Sequence, residues 1–133
     1  MSGIFTARKF YLFCLNHLSF PQEGGAVRPL TVVAQARAKK GSEKFLEDAL
    51  RRVARESQRE DGCLMYVVHR DAGDPAFFMT VERWRSQSDI DRHMASSHIG
   101  ELLRRIPEWV AGAPTITVLE ALVDGLPEKG FPN

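Results

Sequence analysis

Two strand-like segments joined by a short turn constrain the fold of this chain more than any other feature. Cys63–Arg70 (CLMYVVHR) and Phe77–Trp84 (FFMTVERW) are rich in aromatic and β-branched residues, and Asp71-Ala72-Gly73-Asp74-Pro75 between them is turn chemistry. Together they predict a β-hairpin. Upstream, Thr31–Ala38 (TVVAQARA) reads as another strand, and Gly41-Ser42 opens a helix with Ser42 as its N-cap and Glu43 in its first turn. In that helix Phe45, Ala49 and Val53 form one row, and Leu46, Leu50 and Ala54 form the adjacent row, making an apolar stripe. Glu47, Arg51, Arg55 and Arg59 occupy another face as a solvated charge pattern, and Asp61-Gly62 ends the helix.

Downstream of the hairpin, Ser86-Gln87-Ser88-Asp89 is a capping box that opens a short helix. Ser96-Ser97 interrupts it and caps a new turn. Ile99, Leu102, Leu103 and Ile106 then repeat at helical spacing until Pro107, where the helix is expected to end or kink. Thr115–Leu122 (TITVLEAL) reads as the fourth strand.

The order strand, helix, strand, strand, helix, strand predicts an α+β, ferredoxin-like βαββαβ fold: a four-stranded antiparallel sheet with two helices on one face. Yet Cys63, Met65 and Val67 alternate with Leu64, Tyr66 and Val68, and Phe77, Met79 and Val81 alternate with Phe78, so both faces of the hairpin are apolar. Helices cover only one face, and the other would leave a large apolar patch in water. The expectation is a homodimer in which two sheets face each other. The domain spans residues 29–124, followed by a Gly- and Pro-containing tail over 125–133. Residues 1–28 read as a separate N-terminal extension, apolar at Phe10–Leu15 and ending in the linker-like Pro21-Gln22-Glu23-Gly24-Gly25.

The 133 residues suit one domain, and 18 basic against 17 acidic side chains leave no electrostatic footprint for nucleic acid or an anionic membrane surface. No apolar run is long enough for a membrane span. The two cysteines, Cys14 and Cys63, form no CxxC, so neither a disulfide framework nor a zinc ribbon is indicated. A reducing, cytoplasmic setting is expected. Arg8-Lys9 before Phe10–Leu15 resembles a signal sequence weakly, but Asn16-His17 cuts the apolar run short and no A-x-A site follows.

Chemistry concentrates in Glu82, Trp84, His93 and His98. Glu82 and Trp84 lie two apart on a strand and project to one face. The histidines follow in the helical segment. An acid, an indole and two imidazoles can move a proton, stack on a planar ligand or bind a metal, whereas the plainer roles are a packed indole, helix-end imidazoles and an ion-paired carboxylate. Tyr66 fits a satisfied core tyrosine as readily as a catalytic one. His69 has the opposite parity and reads as surface or interface. Two histidines and a carboxylate are a recognised metal-binding set, but His93 and His98 are five apart and do not stack on one helix turn, so no metal is expected.

Asp61-Gly62-Cys63-Leu64-Met65-Tyr66, then Glu82-Arg83-Trp84, then His93-Met94-Ala95-Ser96-Ser97-His98 resemble the antibiotic biosynthesis monooxygenase family over residues 31–122. The resemblance implies a dimeric α/β barrel with a pocket between sheet and helices. It also implies a cofactor-free monooxygenase that oxidises a small quinol or polyphenol with O2. In that reading His93 or His98 assists deprotonation, Trp84 lines the pocket, and Tyr66 and Glu82 orient groups. Haem-degrading relatives carry a first-strand asparagine and a late-helix histidine. Here those neighbourhoods hold Ala34-Gln35 and Leu102-Leu103-Arg104, which argues against haem. Glu82 stands where anthrone-oxidising relatives use an asparagine. The alternative is a protein of the same fold without oxygen chemistry, either an isomerase of a small metabolite or a binding protein.

Overall fold

The computed structural model describes residues 28–132. The expectations for residues 1–27 lie outside the described residues. Strand β1 (Leu30–Ala38) leads to helix α1 (Glu43–Ser57), the hairpin β2 (Cys63–Arg70) and β3 (Phe77–Trp84), helices α2 (Gln87–Met94) and α3 (Ser97–Trp109), and strand β4 (Val110–Leu119). A single helical turn, α4 (Pro127–Gly130), lies in the C-terminal tail. The strands form one antiparallel sheet in the order β2-β3-β1-β4. This is the ferredoxin-like arrangement, and the sheet is open rather than closed into a barrel.

One face of the sheet carries the helices. Val32, Tyr66 and Trp84 from the strands pack with Val53 and Ala54 of α1, Ile90 and Met94 of α2, and Ile99 and Leu103 of α3. At the other end Ala38, Phe78 and Val110 pack with Leu46 and Leu50. The covering layer contains three helices rather than two, because the second crossover is broken at Ser96.

Several local expectations are corrected. Ser42 occupies the N-cap position of α1 but makes no side-chain cap; the Glu43 carboxylate instead accepts from the Gly41 amide at 2.9 Å. Phe45 leaves the buried stripe and stacks on Trp109, the ring centroids 6.5 Å apart. Pro107 sits inside the last turn of α3, where the missing amide costs one intrahelical bond, and the helix runs on to Trp109. Strand β4 begins directly at Val110 and ends at Leu119, earlier at both ends than the sequence pattern indicates. The register against β1 shifts between Gln35 and Arg37, a bulge eased by Gly112 at φ 73°. A second irregularity between Cys63 and Met65 breaks the alternation of β2, so Cys63 joins Tyr66 and Val68 on the helix-covered face while Leu64 and Val67 are exposed.

The opposite face of the sheet carries Val33, Met65, Val67, Phe77, Met79 and Val81, and no described helix packs on it. No described helix is long and apolar enough to cross a membrane.

Candidate active site

The site is assembled from four elements around His93. On β3, Thr80, Glu82 and Trp84 point to the helix-covered face and are all buried. The Glu82 carboxylate accepts a hydrogen bond from Thr80 Oγ1 at 2.7 Å and another from Trp84 Nε1 at 3.0 Å. Both oxygens are thereby held, and Oε1 lies 3.8 Å from His93 Nε2. His93 lies at the end of α2, its ring tilted against Trp84 with centroids 4.4 Å apart and against Tyr66 at 5.7 Å. Its other nitrogen, Nδ1, meets Glu60 Oε2 at 2.7 Å, and the same oxygen meets His98 Nε2 at 3.0 Å.

The break at Ser96 creates this arrangement. Ser96 is extended, its hydroxyl donates to the His93 carbonyl at 2.6 Å and accepts from the Ile99 amide at 3.4 Å. It closes α2 and caps α3 at once. The chain therefore turns between the two histidines and brings their rings to 5.8 Å. A spacing of five keeps two side chains apart only on a continuous helix, and here α2 ends at Met94 and α3 starts at Ser97, so the expected separation does not hold.

Glu60 escapes sequence reasoning because it sits in the turn between α1 and β2 and belongs to no periodic pattern. The available signal is its place two residues before Gly62, where the turn feeds the strand that carries Tyr66. Cys63 pairs with Trp84 across the hairpin, so that turn lies beside the end of β3.

A cavity of about 80 Å³ lies between sheet and helices. Apolar residues such as Val32, Phe78, Leu102, Ile106 and Ile116 form most of its wall, and Tyr66, Thr80, Glu82 and His93 supply a polar end. Three of the five sequence-predicted site residues, Tyr66, Glu82 and His93, line it. Trp84 and His98 do not. Trp84 is fully buried behind the wall, where its indole holds Glu82, and His98 borders an open groove between α1 and α3.

The two carboxylates that flank His93 are tuned in opposite directions. Burial pushes the Glu82 carboxyl above its usual range, only partly offset by the His93 charge and the Thr80 and Trp84 hydrogen bonds. Burial also acts on Glu60, but hydrogen bonds and charge from His93 and His98 outweigh it and hold that carboxyl below its usual value. Burial, reinforced by the Glu82 charge, pushes the Tyr66 phenol well up. Burial and the charges of Glu60 and Glu82 push the Cys63 thiol up to about 11, which leaves it a poor nucleophile. A low-pKa and a high-pKa carboxyl on either side of an imidazole is an arrangement suited to acid–base chemistry.

No curated protein matches the chain. Among solved structures, PA3566 from Pseudomonas aeruginosa is 31% identical with a TM-score of 0.70, covering 74% of this chain and all of its own. Rv0793 from Mycobacterium tuberculosis has the same fold at 24% identity and a TM-score of 0.69, over 74% of this chain and 100% of that one. The crystal structure of an antibiotic biosynthesis monooxygenase is 26% identical with a TM-score of 0.67, over 70% of this chain and 98% of the other. Residues 29–105, which hold Glu60, Tyr66, Thr80, Glu82, Trp84, His93 and His98, match the antibiotic biosynthesis monooxygenase family, and the chain belongs to that family.

Proposed function

We propose that the protein is a cofactor-independent monooxygenase that oxidises a small quinol or polyphenol with O2, working as a homodimer through the uncovered sheet face. The observation that carries this reading is the apolar cavity with Tyr66, Thr80, Glu82 and His93 gathered at one end. A planar phenol enters with its ring in the apolar part and a hydroxyl at the polar end. Neutral Tyr66 donates a hydrogen bond to that oxygen. With Nδ1–H given to Glu60, His93 presents Nε2 as the proton acceptor on the cavity side, and Glu82 lies beside it to share the proton. Trp84 holds Glu82, and His98 acts through Glu60 rather than on the substrate.

Deprotonation makes the ring electron-rich enough to pass one electron to O2. The resulting superoxide and substrate radical combine into a carbon-bound peroxide. Protonation and loss of water leave one oxygen atom in the product as a quinone carbonyl and the other in water, so the substrate supplies all four electrons. The apolar wall protects these intermediates from solvent. The lining has no lysine or arginine among the described residues, which favours an uncharged aromatic over a phosphorylated isomerase substrate.

Oxygen uptake by metal-stripped protein with a panel of hydroquinones tests this function. Uptake above the uncatalysed rate, abolished in His93→Ala, is the expected result. Rates equal to background across the panel would overturn it.

A further inference from the structure

We propose that Glu60, His93 and His98 form a binding site for a divalent transition-metal ion of the zinc class, an occupancy separate from the oxygen chemistry above. One ligand atom from each residue lies within 4.8 Å of the other two. The donor set of two imidazoles and one carboxylate suits zinc, cobalt and nickel and is a poor match to magnesium or calcium.

Each donor comes from a different element: the α1–β2 turn, the end of α2 and the first turn of α3. The site therefore exists only in the folded chain. His93 is fixed by the Trp84 and Tyr66 rings, and the Ser96 cap fixes the approach of His98.

A tetrahedral ion with ligand bonds of about 2.1 Å sets its donors about 3.4 Å apart. Glu60 Oε2 now stands 2.7 Å from His93 Nδ1 and 3.0 Å from His98 Nε2. Accommodation requires the carboxylate to withdraw by about half an ångström and the two imidazole nitrogens, which lie within 4.8 Å of each other, to settle at that same spacing. The Glu60 and His98 side chains keep 21% and 18% exposure, which gives the ion an entry path and leaves its fourth position to water.

Glu82 supports the same site from the other side of the His93 ring. Metal-bound imidazoles characteristically give their remaining N–H to a carboxylate, which fixes the tautomer. Metal at Nδ1 leaves His93 with Nε2–H, and that nitrogen faces the buried Glu82 carboxylate at 3.8 Å, itself held by Thr80 and Trp84. Occupancy also removes the free Nε2 lone pair, so the ion acts as an inhibitor of any proton abstraction by His93.

The test is titration of chelator-stripped protein with Co2+, followed by its visible absorption, and with Zn2+ by calorimetry. The expected result is one ion per chain, with affinity weakened about tenfold or more in Glu60→Gln and in His98→Ala. His17→Ala and His69→Ala remove the other histidines of the chain and leave it unchanged. Thermal unfolding of each variant separates loss of a ligand from loss of the fold. No saturable binding, or affinity insensitive to both Glu60→Gln and His98→Ala in folded protein, overturns the proposal. Oxygen uptake by the metal-stripped protein fails or succeeds independently of this result.

Discussion

Gly62 presses its α-carbon against the carboxyl of Asp89: a β-carbon at Gly62 would stand 2.1 Å from Asp89 Cγ. Asp89 is buried at the start of α2 and accepts from Ser86 Oγ at 2.7 Å, from Arg85 Nε at 3.2 Å and from Arg92. Burial acts against its charge, but these donors outweigh it and hold the carboxyl down at about 2. Arg85 also binds Asp61 at 3.0 Å, so one cluster latches the turn that bears Glu60 to the helix that bears His93. The distance between Glu60 and His93 is thus set from outside the site.

Gly62→Ala is expected to destabilise the fold by about 3 kcal/mol, at the upper end of overpacking costs, because the contact is with a hydrogen-bonded carboxyl that has no free rotamer. Denaturant unfolding measures this through the midpoint at constant slope. A midpoint equal to that of the unaltered protein would show that the turn yields and the latch is loose.

Stability should respond to Glu60 and Glu82 with opposite slopes. Glu60 titrates lower in the fold than its ordinary 4.5, so the stability it contributes is present above that value and is lost as pH falls through its folded pKa. Glu82 titrates above 4.5, so its contribution is present below that value and is lost as pH rises through its folded pKa. Relative to the unaltered protein, Glu60→Gln is therefore expected to lose stability at neutral pH and recover it in acid. The penalty of Glu82→Gln should shrink as pH rises. Unfolding midpoints of both variants across pH 3 to 8 check the two signs, and parallel curves would contradict the assignment.

The strand and helix order and the buried Leu46-Leu50-Ala54 row of α1 were legible because they repeat at fixed periods, and the Ser86 capping box because it is a local motif with its own chemistry. The polar end of the site was legible in part: Glu82 and Trp84 share strand parity, and their contact follows from it. Features made by single residues were hidden. Alternation in β2 reads cleanly until the irregularity near Leu64 reverses part of it. Ser96 looks like an interruption, yet it determines that His93 and His98 meet. Glu60 has no pattern of its own, and only the path of the turn brings it between the histidines. Pro107 is a helix stop by its chemistry, but in a final turn it removes little, and α3 continues past it.

Trp84→Phe should separate packing from positioning. The ring remains, but Glu82 loses its Nε1 donor at 3.0 Å and a gap opens beside His93. The expected cost is about 2 kcal/mol, combining a lost hydrogen bond to a buried carboxyl with a small cavity. Activity should fall further than in a Trp109→Phe control, since Trp109 stacks on Phe45 away from the cavity. Equal losses in the two variants would remove Trp84 from any role in holding Glu82.

Charge on the uncovered sheet face should break the assembly without touching the cavity. Val81 lies mid-strand in β3, between Val33 of β1 and Val67 of β2, and all three are on the face opposite the helices. Arg83, two residues along on the same face, is buried, and its Nε and Nη1 find no hydrogen-bond partner among the described residues. An apolar surface of this kind is larger than a soluble monomer usually leaves in water. In a two-sheet dimer, Val81→Asp buries two carboxylates against apolar partners. Sedimentation equilibrium should show the unaltered protein as a dimer and Val81→Asp as a monomer at the same micromolar concentration. The surface substitution Arg51→Asp on α1 should leave the dimer intact. A Val81→Asp protein that remains folded and dimeric would place the interface elsewhere.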